Sequence, residues 1–236
     1  MTSSASRRGS RAPSASFGPL STVRYPVNGV DFDMVRVPPG RFVDGEGPTR
    51  RELLVSRPFE LGVAQVTQAL WRAVMGLSPS IFQGEDRPVE RVSRDDVQAF
   101  LARLSVLGLP GFRLPAEAEW AWAARCGAPT RWAGADRPKV VAVTGASQTA
   151  AVAGLSSSAV GALDLSGNVF EWAGDWYEEA PLAGVDAQGP ASGSVRVTRG
   201  GSWNFVPQYA RVARLSIMTP GRRADYLGLR LLRTAP

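Results

Sequence analysis

Near its C terminus the chain runs Arg199-Gly200-Gly201-Ser202-Trp203, and the adjacent glycines permit a tight backbone crossing that side chains would block. Other motifs frame it. Arg113-Leu114-Pro115-Ala116-Glu117-Ala118-Glu119-Trp120 and Gly167-Asn168-Val169-Phe170-Glu171-Trp172 lie upstream, and the chain closes on Leu227-Gly228-Leu229-Arg230. Trp120, Trp122, Trp172, Trp176 and Trp203 read as core anchors, large apolar bodies that each carry one polar N–H. These motifs therefore specify a scaffold, and function has to be read from a site built on it.

The 236 residues, 44% hydrophobic with 25 glycines, suit one sizeable domain with many turns, and no internal repeat or second core is visible. Cys126 is the single cysteine, so no intrachain disulfide forms. There is no histidine, which excludes a His-based triad, an imidazole base and His-ligated zinc or copper. All but one of the 27 basic residues are arginines, Lys139 being the exception, and the formal net charge is +6. No basic run is interleaved with aromatics as a nucleic-acid groove requires, so no nucleic-acid partner is expected. Residues 1–20 are mostly Ser, Ala, Arg, Gly and Pro, with almost nothing to bury, and read as a disordered tail. Arg7, Arg8 and Arg11 are not followed by an apolar core of signal-peptide length, and no run of about twenty apolar residues exists to span a membrane. A cytoplasmic or virion-associated location is the expectation.

Phe32, Met34, Val35, Val37 and Phe42 predict strands between Val30 and Val43, broken by Pro38-Pro39-Gly40, and Phe59 to Val63 alternates as another. Thr67 caps a helix with Leu70, Trp71, Val74 and Met75 on its apolar face and Gly76 at its end. Ser93-Arg94-Asp95-Asp96 caps a second, turning Val97, Phe100, Leu101 and Leu104 to one face. Glu117 to Arg125, acidic early and basic late with Gly127 just beyond, predicts a third. Residues 128–160 read as loops with short strands. Asn168 to Trp176, Val195 to Arg199 and Leu227 to Leu232 read as strands of a small sheet. The fold class is α+β, irregular, with small antiparallel sheets and two or three short helices.

Taken in order, Pro38-Pro39-Gly40-Arg41-Phe42, Gln65-Val66-Thr67, the Arg113–Trp120 and Gly167–Trp172 motifs, Arg199–Trp203 and Gly228-Leu229-Arg230 resemble the formylglycine-generating-enzyme (sulfatase-modifying factor) family. The resemblance covers about residues 30–234 and implies a variant of the C-type lectin fold in one domain, residues 21–236. In catalytic members two cysteines a few residues past Gly-Gly-Ser hold copper, as soft ligands for a soft metal. The matching positions here are Phe205 and Ala210, so neither copper nor oxidase activity is expected. Cys126, at a helix end in another motif, reads as a small buried side chain rather than a nucleophile. The resemblance also implies a calcium position, with side-chain oxygens from Asp164 and Glu171 and carbonyls from Gly167 and Val169. The alternative is that Asp164 caps a turn and Glu171 pairs with an arginine.

Residues 203–226 occupy the place of that family's active site without an acid-base pair, and here the chain resembles the variable proteins of diversity-generating retroelements. That resemblance implies a diversified, non-catalytic surface gripping a protein or cell-surface ligand. Its residues would be Trp203, Asn204, Phe205, Val206, Gln208, Tyr209, Leu215, Ile217, Met218, Arg222, Ala224, Asp225 and Tyr226. Phe, Val, Ala, Asp and Tyr are reached from an Asn codon by changing its two adenines; Gln208 and Met218 are not. Rigid aromatics give contact area at low entropy cost. Pro207, Pro220 and Gly221 favour displayed loops over a buried strand. On this reading, replacing Phe205, Tyr209 and Tyr226 together by Ala leaves the melting temperature nearly unchanged. The alternative class is an enzyme or accessory of the same family that acts on a peptide or small molecule without the copper cysteines.

Overall fold

The computed structural model describes residues 20–155, 158–180 and 182–234. Its elements in chain order are β1 (Thr22–Val27), β2 (Val30–Val37), β3 (Gly40–Asp44), β4 (Arg51–Val55), β5 (Phe59–Gly62), α1 (Gln68–Met75), α2 (Arg94–Val106), β6 (Phe112–Arg113) and α3 (Glu117–Arg125). There follow β7 (Ala142–Val143), β8 (Ser166–Gly167), β9 (Phe170–Trp176), β10 (Gly184–Val185), β11 (Arg196–Arg199), β12 (Leu215–Met218), β13 (Leu227–Gly228) and β14 (Leu232–Thr234). They form a five-stranded sheet in the order β1-β2-β5-β14-β6, a four-stranded sheet β12-β11-β9-β13, a three-stranded sheet β10-β4-β3 and the pair β7-β8. Most pairings are antiparallel as expected, but β10–β4, β13–β9 and β7–β8 run parallel. No helix of the described residues is long and apolar enough to cross a membrane.

The helices start and stop where the sequence signals them. The Thr67 hydroxyl accepts from the Leu70 N–H, and Gly76 closes α1 at φ 91°. Ser93 and Asp96 form a reciprocal capping box at the start of α2. Cys126 ends α3 in the left-handed region at φ 37°, one residue before Gly127. β1 follows no strong alternation and lies outside the expected strands; it forms because Asn28-Gly29, both at positive φ, turn it back antiparallel onto β2. Residues 1–19 of the expected tail lie outside the described residues, and Leu20 packs half-buried on the core.

Two large apolar clusters share the interior. One joins Val35, Leu53, Phe59 and Leu61 to α3 through Trp120 and Trp122. The other joins α1 and α2 to Phe170, Trp172, Leu227 and Leu229. The expected strand from Leu227 to Leu232 is in fact two: β13 pairs with β9, whereas β14 pairs with β5 and β6. Arg230 stands at the crossing between the sheets and forces the break. Its guanidinium donates to the carbonyls of Gly62, Val63 and Leu163, which a continuous ladder could not satisfy.

Candidate functional site

The segment after β11 leaves the sheet at Gly200 and Gly201, both at positive φ. A β-carbon on Gly201 would stand 2.7 Å from the Ala210 backbone, so the chain can double back only on glycine. Trp203 locks the fold-back: its backbone N–H donates to Asn168 O at 2.9 Å and its indole donates to Asp225 O at 3.0 Å. The two ends of the expected binding segment are thereby tied together. Gly145 and Ala146 donate to the carbonyls of Phe205 and Trp203, and the Trp132 indole donates to Pro207 O. Between these ties runs a short 3-10 turn, Pro207–Ala210, followed by β12 as the outer strand of its sheet.

Aromatic rings form the base of the segment. Phe205 meets Phe170 edge-on at 5.4 Å, Tyr226 at 5.6 Å and Tyr209 at 5.0 Å, and Phe170 is fully buried. Arg214 lies over Tyr209, and Arg222 both lies over Tyr226 and donates to its hydroxyl at 2.8 Å. Of the thirteen residues expected to bind, Asn204, Val206, Gln208, Ile217 and Arg222 are exposed. Phe205, Tyr209, Leu215, Met218, Asp225 and Tyr226 are half-buried. Trp203 and Ala224 are buried and do not reach the face, Trp203 because its indole is spent on the internal strut. The aromatics thus serve as support as well as surface, and the expectation that removing three of them leaves stability unchanged does not hold against this packing.

The expected calcium ligands do converge, but on a protein nitrogen. Gln65 Nε2 lies 3.2 Å from Asp164 O, 3.3 Å from Gly167 O, 3.0 Å from Val169 O and 3.0 Å from Glu171 Oε1. Arg230 binds both oxygens of Glu171, the Trp120 indole donates to Glu171 Oε2 at 2.7 Å, and all three side chains are fully buried. The Asp164 carboxylate turns away to accept from the Ala153 N–H at 2.6 Å, and burial raises its pKa. These residues do not fit a calcium ion: an amide N–H group fills the space, and an arginine already neutralises the carboxylate. The turn and arginine alternative describes both side chains. Gln65, which the sequence offers only as the start of a helix signal, is the residue that pattern reasoning misses.

The two positions that match the copper cysteines are likewise occupied by packing. Phe205 belongs to the aromatic base, and Ala210 is fully buried against Gly201. Cys126 lies in the α3 cluster, where burial pushes its thiol up to about 12.

Beside β12 opens a cleft of about 770 Å³. Arg211, Arg214 and Leu215–Ile217 line one wall, residues 176–180 and Leu182 the other, and Arg51 and Glu117 the inner end. Arg51 pairs with Asp44 and Glu117; Arg125 and Arg199 also reach Asp44, at 3.0 and 3.2 Å. Burial alone would raise the Asp44 pKa, but the guanidiniums of Arg199, Arg125 and Arg51 hold it down at about 2. This network was not legible as a unit, because its members lie on β3, β4, α3 and β11.

The sulfatase-modifying factor enzyme 1-like domain model matches residues 25–235. The chain belongs to that family. It is 31% identical over 192 residues to a formylglycine-generating enzyme of Thermomonospora curvata, covering 70% of this chain and 61% of the relative. It is 36% identical over 191 residues to that of Streptomyces coelicolor, covering 70% and 58%. The family member described here therefore spans about three fifths of the length of these relatives. Among solved structures it is similar to Treponema denticola variable protein 1, with a TM-score of 0.84, 31% identity, and 91% of this chain and 99% of that chain covered. The fold is the C-type lectin-like fold of both groups.

Proposed function

We propose that this protein is a non-catalytic ligand-binding member of the family, a diversified variable protein whose contact surface is the exposed part of residues 204–226. One observation carries the reading: Val206, Gln208 and Ile217 stand in solvent on a base that other residues hold in place. Their side chains make no hydrogen bond or ion pair, so they can change without changing the fold. The likeness to a variable protein across nearly the whole of both chains supports the same reading. The ligand would be a protein or cell-surface molecule. The test is the DNA flanking the gene. A near-copy of the stretch encoding Arg199 to Pro236, differing mainly at adenines and lying beside a reverse transcriptase gene, is the expected result; its absence overturns diversification.

A second reading is kept alive by the two relatives named formylglycine-generating enzymes. It assigns an enzymatic or accessory role on a peptide or small molecule without the copper cysteines. Turnover of a peptide or small molecule by the purified chain, followed by mass spectrometry, would support it, and the non-catalytic reading expects none.

A further inference from the structure

β11 pairs with one side of β12, and among the described residues no strand pairs with the other. A bare strand edge presents N–H and C=O groups in register for another extended chain, and peptide ligands dock by adding a strand to such an edge. This edge borders the cleft, because Leu215, Ser216 and Ile217 line its wall.

Charge within the cleft is distributed unevenly. At the inner end Arg51 and Glu117 line the cleft, and behind them the network continues, so that three guanidiniums, Arg51, Arg125 and Arg199, share two carboxylates, Asp44 and Glu117. Arg51 is nine-tenths buried, and its Nε has no acceptor; neither do Arg199 Nε and Nη1 or Arg211 Nε. Arg199 Nη1 lies 3.8 Å from Glu117, too far for a hydrogen bond. Positive charge is therefore in surplus where water screens it least. Glu46, Glu178 and Glu179 also line the cleft at its exposed mouth, where solvent weakens them, and the Glu46 carboxylate 3.6 Å from Arg211 Nη1 forms only an exposed, screened pair that a ligand carboxylate can replace. Those acids disfavour a nucleic acid or an anionic membrane as occupant.

We propose that the cleft receives an extended peptide segment of a protein ligand, which pairs with the outer edge of β12, turns a carboxylate toward Arg211 and Arg51, and presents a basic side chain to Glu178 and Glu179. The proposal rests on the binding reading above, since β12 lies inside the 204–226 surface, and it names the part of the ligand that enters.

The probe is a set of capped pentapeptides alternating valine with glutamate, lysine or glutamine, titrated into the full chain. Amide signals of Leu215–Met218 and the Nε–H signals of Arg51 and Arg211 are followed by NMR. The glutamate-lysine peptides should shift these signals saturably, and replacing their glutamate by glutamine should weaken binding about tenfold. The Arg211→Gln variant, altered at a part-exposed side chain, should lose that discrimination while keeping its melting temperature. Methylating alternate peptide nitrogens should abolish binding in one register and spare it in the other. Absence of shifts at 215–218, equal affinity of the glutamine peptide, or indifference to N-methylation overturns the proposal. A template repeat in the flanking DNA combined with any of those results leaves the binding surface standing and removes only the cleft.

Discussion

The Gln65–Glu171–Arg230 knot, which meets the four-stranded sheet at Glu171 on β9, and the 204–226 face, which includes its outer strand β12, follow opposite rules. In the knot the Glu171 carboxylate and the Arg230 guanidinium are fully buried and paired, and Gln65 Oε1 is the one buried side-chain atom left without a partner among the described residues. On the face Val206 is 56% and Ile217 47% exposed, and nothing polar holds them. On the proposed function, the contrast separates specification from recognition within one fold. Buried polar groups tolerate few alternatives, because leaving one unpaired costs more than the bond itself contributes. Exposed side chains on a braced loop carry no such constraint. The half-buried aromatics between them belong to both regions.

The comparison breaks most readily at Arg230. Arg230→Leu strands the buried Glu171 carboxylate and should cost about 3–5 kcal/mol in urea unfolding, or prevent folding altogether. A loss under 1 kcal/mol would mean the knot is not what fixes the crossing between sheets. Phe205→Ala removes a half-buried ring from four-ring packing and should cost about 2 kcal/mol, below the range for fully buried phenylalanines; calorimetry measures it.

Acid sharpens the picture at the second buried cluster. The Asp44 pKa is held at about 2, below its ordinary 3.8, so its contribution is fully present above pH 4 and is lost as pH falls toward 2. About 2 kcal/mol should disappear over that window, by the same shift converted to free energy. Asp44→Asn should flatten that part of the pH profile. The smallest effect concerns calcium. With the Gln65 amide in place, EGTA should leave the melting temperature unchanged, whereas Gln65→Glu puts a second carboxylate in the cage and should make stability rise with added calcium. A drop in melting temperature with EGTA in the parent chain would show that a cation, not the amide, fills the cage.

Much of the fold was legible because local signals agreed with the global arrangement. Thr67 and Ser93 mark helix starts by capping chemistry alone, and Gly200-Gly201 mark a crossing that only glycine permits. What could not be read depends on contacts distant in sequence. Leu227 to Leu232 looks like one strand until Arg230 is seen to serve carbonyls from residues 62, 63 and 163. Asp164, Gly167, Val169 and Glu171 were found as a converging set of oxygens, but their occupant, Gln65, lies about a hundred positions upstream. The proposed binding segment is bracketed by its motifs, yet only packing separates Trp203 and Ala224, which are buried, from Val206 and Ile217, which are not.

The central claim is that Val206, Gln208 and Ile217, exposed and without side-chain hydrogen bonds or ion pairs, are free of the fold. Randomising Val206, Gln208 and Ile217 together and counting the protease-resistant members of the library tests it without knowledge of the ligand. Most members should remain folded within about 0.5 kcal/mol per site. A requirement for the native residues at these three positions would contradict it.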